Sequence, residues 1–223
     1  MAEWASPQAR AARTRIFETF AAEGRPPSPS ELAEDLGTSR DEVDAALGEL
    51  HDAHAVVLTE SWDGVRMAHP FSAWPMGFVV RGGDRLWWGG CAWDSFGIAA
   101  ALAPQTAEQE IEIETTCPGC GRNLAYSAPP QKPTDMVVRI PKPAREWWDD
   151  VVATCTAIRT FCNEDHVDDG SGTIVPLPRL HQLAGPWYGD RLDPNWRPRP
   201  RADSQRILED VGLSGPFWEL PGT

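Results

Sequence analysis

One stretch organises the chain: Leu86-Trp87-Trp88-Gly89-Gly90-Cys91-Ala92-Trp93-Asp94-Ser95-Phe96-Gly97. The two glycines let the backbone pass tightly just before the cysteine, because glycine carries no Cβ. If Cys91 ends a strand and opens a helix, Cys91 and Asp94 share one face of that helix. The carboxylate could then take the thiol proton or hold it for transfer. The competing interpretation is a buried structural cysteine beside an aspartate that caps the helix.

The composition indicates a globular protein that does not bind nucleic acid. Its 223 residues suit one large domain or a small domain with a larger one, and 41% apolar residues suffice for a core. The net charge of −13 opposes binding to a phosphate backbone. No apolar run approaches the roughly 20 residues that cross a bilayer, and the N-terminal residues lack signal-peptide features. We therefore predict a cytoplasmic protein without a membrane partner, whose five cysteines are thiols.

Residues 1–75 predict a winged-helix-like N-terminal domain. A helical spacing of apolar residues runs up to Gly24, and capping boxes at 28–31 and 39–42 open two further helices. The pair Asp63-Gly64 then joins two short strands as a hairpin. Three helices followed by a hairpin is the winged-helix order.

The charge of this N-terminal domain decides against DNA binding. Residues 1–70 contain six arginines, no lysine and thirteen acidic residues. The third helix, from Ser39 to His54, would occupy the position of a recognition helix, yet it carries one arginine among five acidic residues. A duplex would repel that face. We interpret the domain as a structural or protein-contact module, with a DNA-binding regulator as the alternative.

Residues 76–190 predict a mixed α/β domain with an antiparallel-rich sheet, and 191–223 form a C-terminal extension. The overall class is therefore α+β. Strands are predicted at 77–81, 85–88, 110–115, 123–127, 136–140 and 173–175, and helices at 96–102, 143–150 and 177–187. The β-branched segment from Cys155 to Cys162 favours a further strand, which would place these two cysteines on opposite faces.

The segment Cys117-Pro118-Gly119-Cys120 is a CxxC motif. A second such pair would indicate zinc, but the sequence has none, and the five histidines show no ligand spacing. A tight turn between strands, a metal site and a redox pair all remain open for these two thiols.

Three segments resemble the organomercurial (alkylmercury) lyases. The segment from Arg85 to Asp94 is similar to the family's Cys-Ala-x-Asp motif, which follows a strand in the same way. The likeness continues at 116–121 and at 153–161. The resemblance implies catalytic roles for Cys91, Asp94 and Cys155, a structural role for Cys117, and an N-terminal winged-helix-like unit that does not bind DNA.

The chain also departs from the family pattern. Family members often carry a Cys-Cys-His run at the second catalytic cysteine, where this chain has Cys155-Thr156-Ala157. Cys162 therefore stays the alternative second thiol. The tail beyond residue 187 extends past the short form of the family. These differences indicate a divergent branch.

The resemblance implies protonolytic cleavage of a carbon–mercury bond. Mercury is a soft cation that thiolates bind well, so Cys91 and Cys155, with Asp94, would hold it. Asp94 would accept a thiol proton and deliver it to carbon, while Trp87, Trp88 and Trp93 could wall the site. Hg(II) would remain bound as product, external thiols would release it, and no cofactor is required.

Other functions remain possible from the sequence. The expected partner is a small organometallic substrate, and the protein would be a monomer or homodimer. One alternative is a relative that cleaves another polarised carbon bond with the same residues. A second is a non-catalytic thiol-based binder or sensor of a soft metal. The least favoured is the winged-helix regulator.

Overall fold

A computed structural model describes residues 3–104, 110–130, 134–168 and 170–222 of the chain. The helices are α1 (Pro7–Glu23), α2 (Pro29–Leu36), α3 (Arg40–Asp52), α4 (Ala92–Leu102), α5 (Val151–Ala157), α6 (Leu177–Tyr188) and α7 (Arg201–Asp210). The strands are β1 (Val57–Leu58), β2 (Val65–Ala68), β3 (Phe71–Ser72), β4 (Phe78–Gly82), β5 (Arg85–Gly89), β6 (Ile111–Thr116), β7 (Asn123–Ala128), β8 (Val137–Ile140), β9 (Arg159–Phe161) and β10 (Thr173–Pro176). Short 3-10 turns occupy Ala144–Glu146 and Glu164–His166.

The N-terminal helices begin and end where the sequence predicts. Both capping boxes are present, with the Ser28 and Ser39 side chains accepting from the backbone and their glutamate partners reaching back. Helix α1 ends at Gly24, whose φ of 72° is left-handed. The hairpin β1–β2 follows α3. The helix–helix–helix–hairpin order is therefore observed, and its assignment as a winged helix stays a prediction.

A seven-stranded antiparallel sheet runs through the middle of the molecule in the order β1-β2-β3-β5-β4-β6-β7. Strands β1 to β3 come from the N-terminal segment, so the domain boundary predicted near residue 75 falls inside one continuous sheet. A second sheet has the order β10-β8-β9 and is also antiparallel. Helices combined with antiparallel sheets confirm the predicted α+β class.

Helix α4 is the central helix of the core. Nine of its residues are buried, and it packs on strands β4 and β5 and against α6. Burial on all sides explains why its sequence is apolar almost throughout. Trp87 on β5 joins this core to α1, because its indole N–H donates to the carbonyl of Phe20 at 2.9 Å.

The C-terminal segment packs back on the rest of the molecule. Trp196 lies edge-on to Trp4, with ring centroids 5.5 Å apart, and the guanidinium of Arg13 lies 4.3 Å from the Trp196 ring. Trp218 lies edge-on to Trp147, with ring centroids 6.2 Å apart. The predicted extension is thus part of the folded body. Among the described residues, no helix is long and apolar enough to cross a membrane.

Two predicted elements differ from the structure. The helix predicted at 143–150 is only the 3-10 turn Ala144–Glu146, and the next helix begins at Val151. The strand predicted from Cys155 to Cys162 is wrong in its first half, because residues up to Ala157 are helical and only Arg159–Phe161 pair with β8.

Candidate active site

Cys91 is the N-cap residue of α4, and its position follows from the two preceding glycines. Its sulfur accepts a hydrogen bond from the backbone N–H of Asp94 at 3.3 Å. A Cβ on Gly90 would lie 2.6 Å from Oδ2 of Asp94, and one on Gly89 would lie 3.2 Å from Ser95. The helix therefore begins at Ala92, four residues earlier than predicted, and the capping atom is the Cys91 sulfur rather than the Asp94 carboxylate.

Asp94 is buried, with 1% of its surface exposed, and both carboxylate oxygens have partners. The hydroxyl of Tyr188 donates to Oδ1 at 2.6 Å. Nδ1 of His69 lies 3.1 Å from Oδ2, and the thiol of Cys155 donates to the same oxygen at 3.8 Å. Buried polar groups need such partners, since an unsatisfied one costs about 1–3 kcal/mol. The carboxylate is thus held in one orientation, directed at a thiol.

Cys155 reaches Asp94 from helix α5, where a strand was predicted. Asp150 caps this helix by accepting from the N–H of Ala153 at 2.9 Å. The hydroxyls of Thr154 and Thr156 each donate at 2.8 Å to the carbonyl four residues earlier. These bonds satisfy the threonine side chains inside a helix. The short helix therefore overrides the β-branched composition and turns Cys155 inward.

Cys91 and Cys155 line the same cavity, and both thiols hold their protons tightly. Burial raises the pKa of Cys91. The neighbouring Cys91 thiol, together with burial, raises the pKa of Cys155 well above its ordinary value. Both are therefore thiols near neutral pH, and a neighbouring base is needed before they can act as thiolate nucleophiles.

A cavity of about 140 Å³ opens onto Cys91, Asp94 and Cys155. Its remaining walls are largely aromatic, from Trp93, Trp147, Trp148, Trp187 and Tyr188. Of the three tryptophans predicted as walls, Trp93 lines this cavity, whereas Trp87 lies in the core against α1. The site can therefore admit a small, apolar molecule next to two thiols and a carboxylate.

Sequence reasoning missed three residues of this site: His69, Tyr188 and Arg191. Tyr188 reaches Asp94 because α4 and α6 approach closely, and a Cβ on Gly97 would collide with the Tyr188 ring. Arg191 lines the cavity and lies 5.4 Å from that ring, and burial lowers its pKa. His69 lies 25 positions from Asp94 in the sequence and Tyr188 lies 94 positions away, so spacing could not reveal either contact. The signal that could have pointed to Tyr188 was the pair of aromatic residues, Trp187 and Tyr188, at the end of α6.

The other predicted cysteines lie in a separate cluster. The sulfur of Cys162 is 3.4 Å from that of Cys120, and Cys117 is buried in a small satellite core with Leu124, Val137 and Phe161. The structure thus brings Cys155, and not Cys162, to Asp94. The catalytic roles of Cys91, Asp94 and Cys155 remain a prediction.

Two buried thiols lie beside one carboxylate in an aromatic cavity, and thiolates are the ligands that soft metals prefer. The fold is similar to a solved structure described as the mercury-bound form of MerB2, with a TM-score of 0.62 and 18% identity, covering 85% of this chain and 93% of that chain. A comparison of this sequence with curated protein sequences found no significant match.

The family model MerB, described as alkylmercury lyase, matches residues 71–189. This segment spans more than half of the chain, so the protein belongs to the alkylmercury lyase family. The resemblance inferred from the segments around Cys91, Cys117 and Cys155 is confirmed, and low identity to the solved structure agrees with a divergent member. The protein is accordingly an alkylmercury-lyase-like enzyme.

Proposed function

We propose that the protein cleaves the carbon–mercury bond of a small organomercurial by protonolysis. The observation that carries this proposal is the convergence of Cys91, Asp94 and Cys155 on one buried cavity. Two thiolates satisfy the soft cation, and the carboxylate supplies the proton that bond cleavage needs. Metal binding alone would not require a carboxylate bonded to one thiol.

Cys91 acts first, as the nucleophile that binds the mercury atom. It lies at the N-terminus of α4, where the helix dipole favours an anion. Its proton passes out through the Asp94 carboxylate or the Cys155 thiol, which line the same cavity. Cys155 then coordinates the same mercury atom, and its proton moves to Oδ2 of Asp94, the atom it already faces.

The carbon–mercury bond breaks when Asp94 transfers the proton it took from Cys155 to the carbon atom. The bond's electron pair stays with carbon, a hydrocarbon leaves, and Hg(II) remains bound to the two sulfurs. One thiol proton ends on the hydrocarbon and the other goes to solvent, so atoms and charge balance. Tyr188 and His69 act as positioning residues that hold the carboxylate. External thiols then remove Hg(II), and we propose no resident cofactor for the reaction.

The test is release of benzene from phenylmercury with excess small thiol. Cys91→Ser should abolish turnover and weaken Hg(II) retention together, since it removes the first ligand. Asp94→Asn keeps both thiols and much of the metal binding, while turnover should fall about 10²–10⁴-fold, as for loss of a general acid–base group.

Cys155→Ser and Cys162→Ser form the matched pair that assigns the second thiol. We expect Cys155→Ser to stop turnover, whereas Cys162→Ser changes a residue outside the cavity and should at most lower the rate. The opposite result would show that the second thiol has been misassigned. A wild-type protein that holds Hg(II) tightly but releases no benzene would instead be a mercury binder, and a full wild-type rate for Asp94→Asn would remove Asp94 from the mechanism.

A further inference from the structure

Four potential metal ligands meet outside the active-site cavity: Cys117, Cys120, Cys162 and His166. Their donor atoms all lie within 4.8 Å of one another. The sulfurs of Cys120 and Cys162 are 3.4 Å apart, and the Cys117 sulfur is 4.0 Å from Nδ1 of His166. The proposed mechanism uses none of these side chains.

The donor set and its spacing fit Zn²⁺. Zinc in structural sites is tetrahedral and is bound by four protein ligands, often three cysteines and one histidine. With Zn–S bonds of about 2.3 Å and Zn–N bonds of about 2.0–2.1 Å in a tetrahedron, neighbouring donors lie roughly 3.6–3.8 Å apart. The two measured separations bracket this range, so small side-chain shifts would complete the shell. All four positions are filled by protein, which leaves no open site for catalysis.

The turn that carries Cys117 and Cys120 has the geometry of a metal-binding knuckle. The N–H of Gly121 donates to the carbonyl of Cys117 at 2.9 Å, and Gly121 adopts a left-handed φ of 72°. A Cβ on Gly119 would collide with the carbonyl oxygen of His166, so this turn is closely packed on the segment that supplies the other two ligands.

We propose that Cys117, Cys120, Cys162 and His166 bind one structural Zn²⁺ ion. The ion joins the β6–β7 turn to the segment that follows β9. Packing alone supports this corner weakly, because its core of buried residues is small and separate from the main core. The two cysteines of the CxxC motif thus gain a second pair of ligands, which sequence spacing did not reveal because Cys162 lies 42 positions from Cys120.

The zinc ion also supports the active site through strand β9. The backbone of Ile158, between α5 and β9, accepts a hydrogen bond from Ala92, the first residue of α4, at 3.2 Å. The segment that carries Cys155 is therefore held at one end by the zinc cluster and in its middle by α4. The effect of the zinc ion on catalysis rests on the proposed function, whereas the zinc site itself is independent of it.

The experiment measures zinc in the full chain, purified under reducing conditions without added chelator, by elemental mass spectrometry. We expect about one zinc ion per chain, held through gel filtration, as for a closed four-ligand site. His166→Ala and Cys120→Ser should reduce the zinc content to near zero. Cys91→Ser is the matched cysteine variant outside the cluster and should keep the full content. X-ray absorption of the wild type should show three sulfur ligands and one nitrogen.

Three outcomes would overturn the proposal, and none depends on turnover. Wild-type protein that contains no zinc and takes none up from a buffered zinc solution has no such site. A Cys120–Cys162 disulfide that persists in this reduced preparation, seen in peptides digested without further reductant, would show a disulfide in place of the zinc site. Full zinc content in a folded His166→Ala protein would exclude this ligand set. If His166→Ala does not fold, X-ray absorption of the wild type tests the ligand set instead, and a shell other than three sulfurs and one nitrogen would exclude it. Wild-type protein that holds zinc but releases no benzene would refute only the lyase.

Discussion

Tyr188→Phe tests whether the orientation of Asp94 governs turnover. The change removes one hydroxyl, which donates to Oδ1 of a buried carboxylate at 2.6 Å. Hydrogen bonds to charged groups contribute about 1.5–3 kcal/mol, so the free energy of unfolding should fall by about that amount. If the same energy aligns the proton for transfer to carbon, turnover should fall about 10- to 150-fold, at 1.36 kcal/mol per factor of ten.

The matched control is Tyr126→Phe, which removes a buried hydroxyl of the same kind. The Tyr126 hydroxyl lies 3.1 Å from the hydroxyl of Thr160, whereas Tyr188 and His69 are the partners of the two Asp94 oxygens. A neutral hydrogen bond contributes about 0.5–1.5 kcal/mol, so this variant should lose stability and keep its turnover. Urea unfolding and benzene release are measured for both proteins. The reasoning is refuted if Tyr188→Phe keeps the wild-type rate, or if the two variants lose turnover equally.

Three further predictions concern pH, packing and DNA. Burial raises the pKa of Cys91 in the folded state, and the neighbouring Cys91 thiol together with burial raises the pKa of Cys155. The unfolded chain therefore loses these protons first, and urea unfolding should show stability falling above about pH 8.5, the ordinary thiol pKa. The fall should be less steep in Cys91→Ser. Gly90→Ala places a Cβ 2.6 Å from Oδ2 of Asp94, so it should lower the free energy of unfolding by about 1–3 kcal/mol and also reduce turnover. The control Gly64→Ala has nothing within 4 Å of the added Cβ and should change neither stability nor turnover. Gel-shift assays should show no sequence-specific binding of duplex DNA, because α3 is acidic; salt-sensitive, sequence-selective binding at nanomolar protein would contradict this.

Local features of the fold were readable from the sequence because they depend on neighbours along the chain. The capping boxes at Ser28 and Ser39 need a partner only three residues away. The hairpin β1–β2 is also local, although its loop spans residues 59–64 and its left-handed residue is Trp62, with a φ of 61°, rather than Gly64. The pairing of Cys91 with Asp94 is of the same kind, since three positions separate them on one helical turn.

The rest of the candidate site depends on packing between distant segments. Cys155 was identified by resemblance, but its route to Asp94 was not, because Val151–Ala157 form the helix α5 although β-branched composition favoured a strand around Cys155. Tyr188 meets Asp94 only because Gly97 lets α6 approach α4. His166 joins three cysteines only after the β6–β7 turn packs on the segment after β9. The sequence by itself determined the thiol–carboxylate pair, and the tertiary structure decided which side chains surround it, because spacing along a chain constrains only near neighbours.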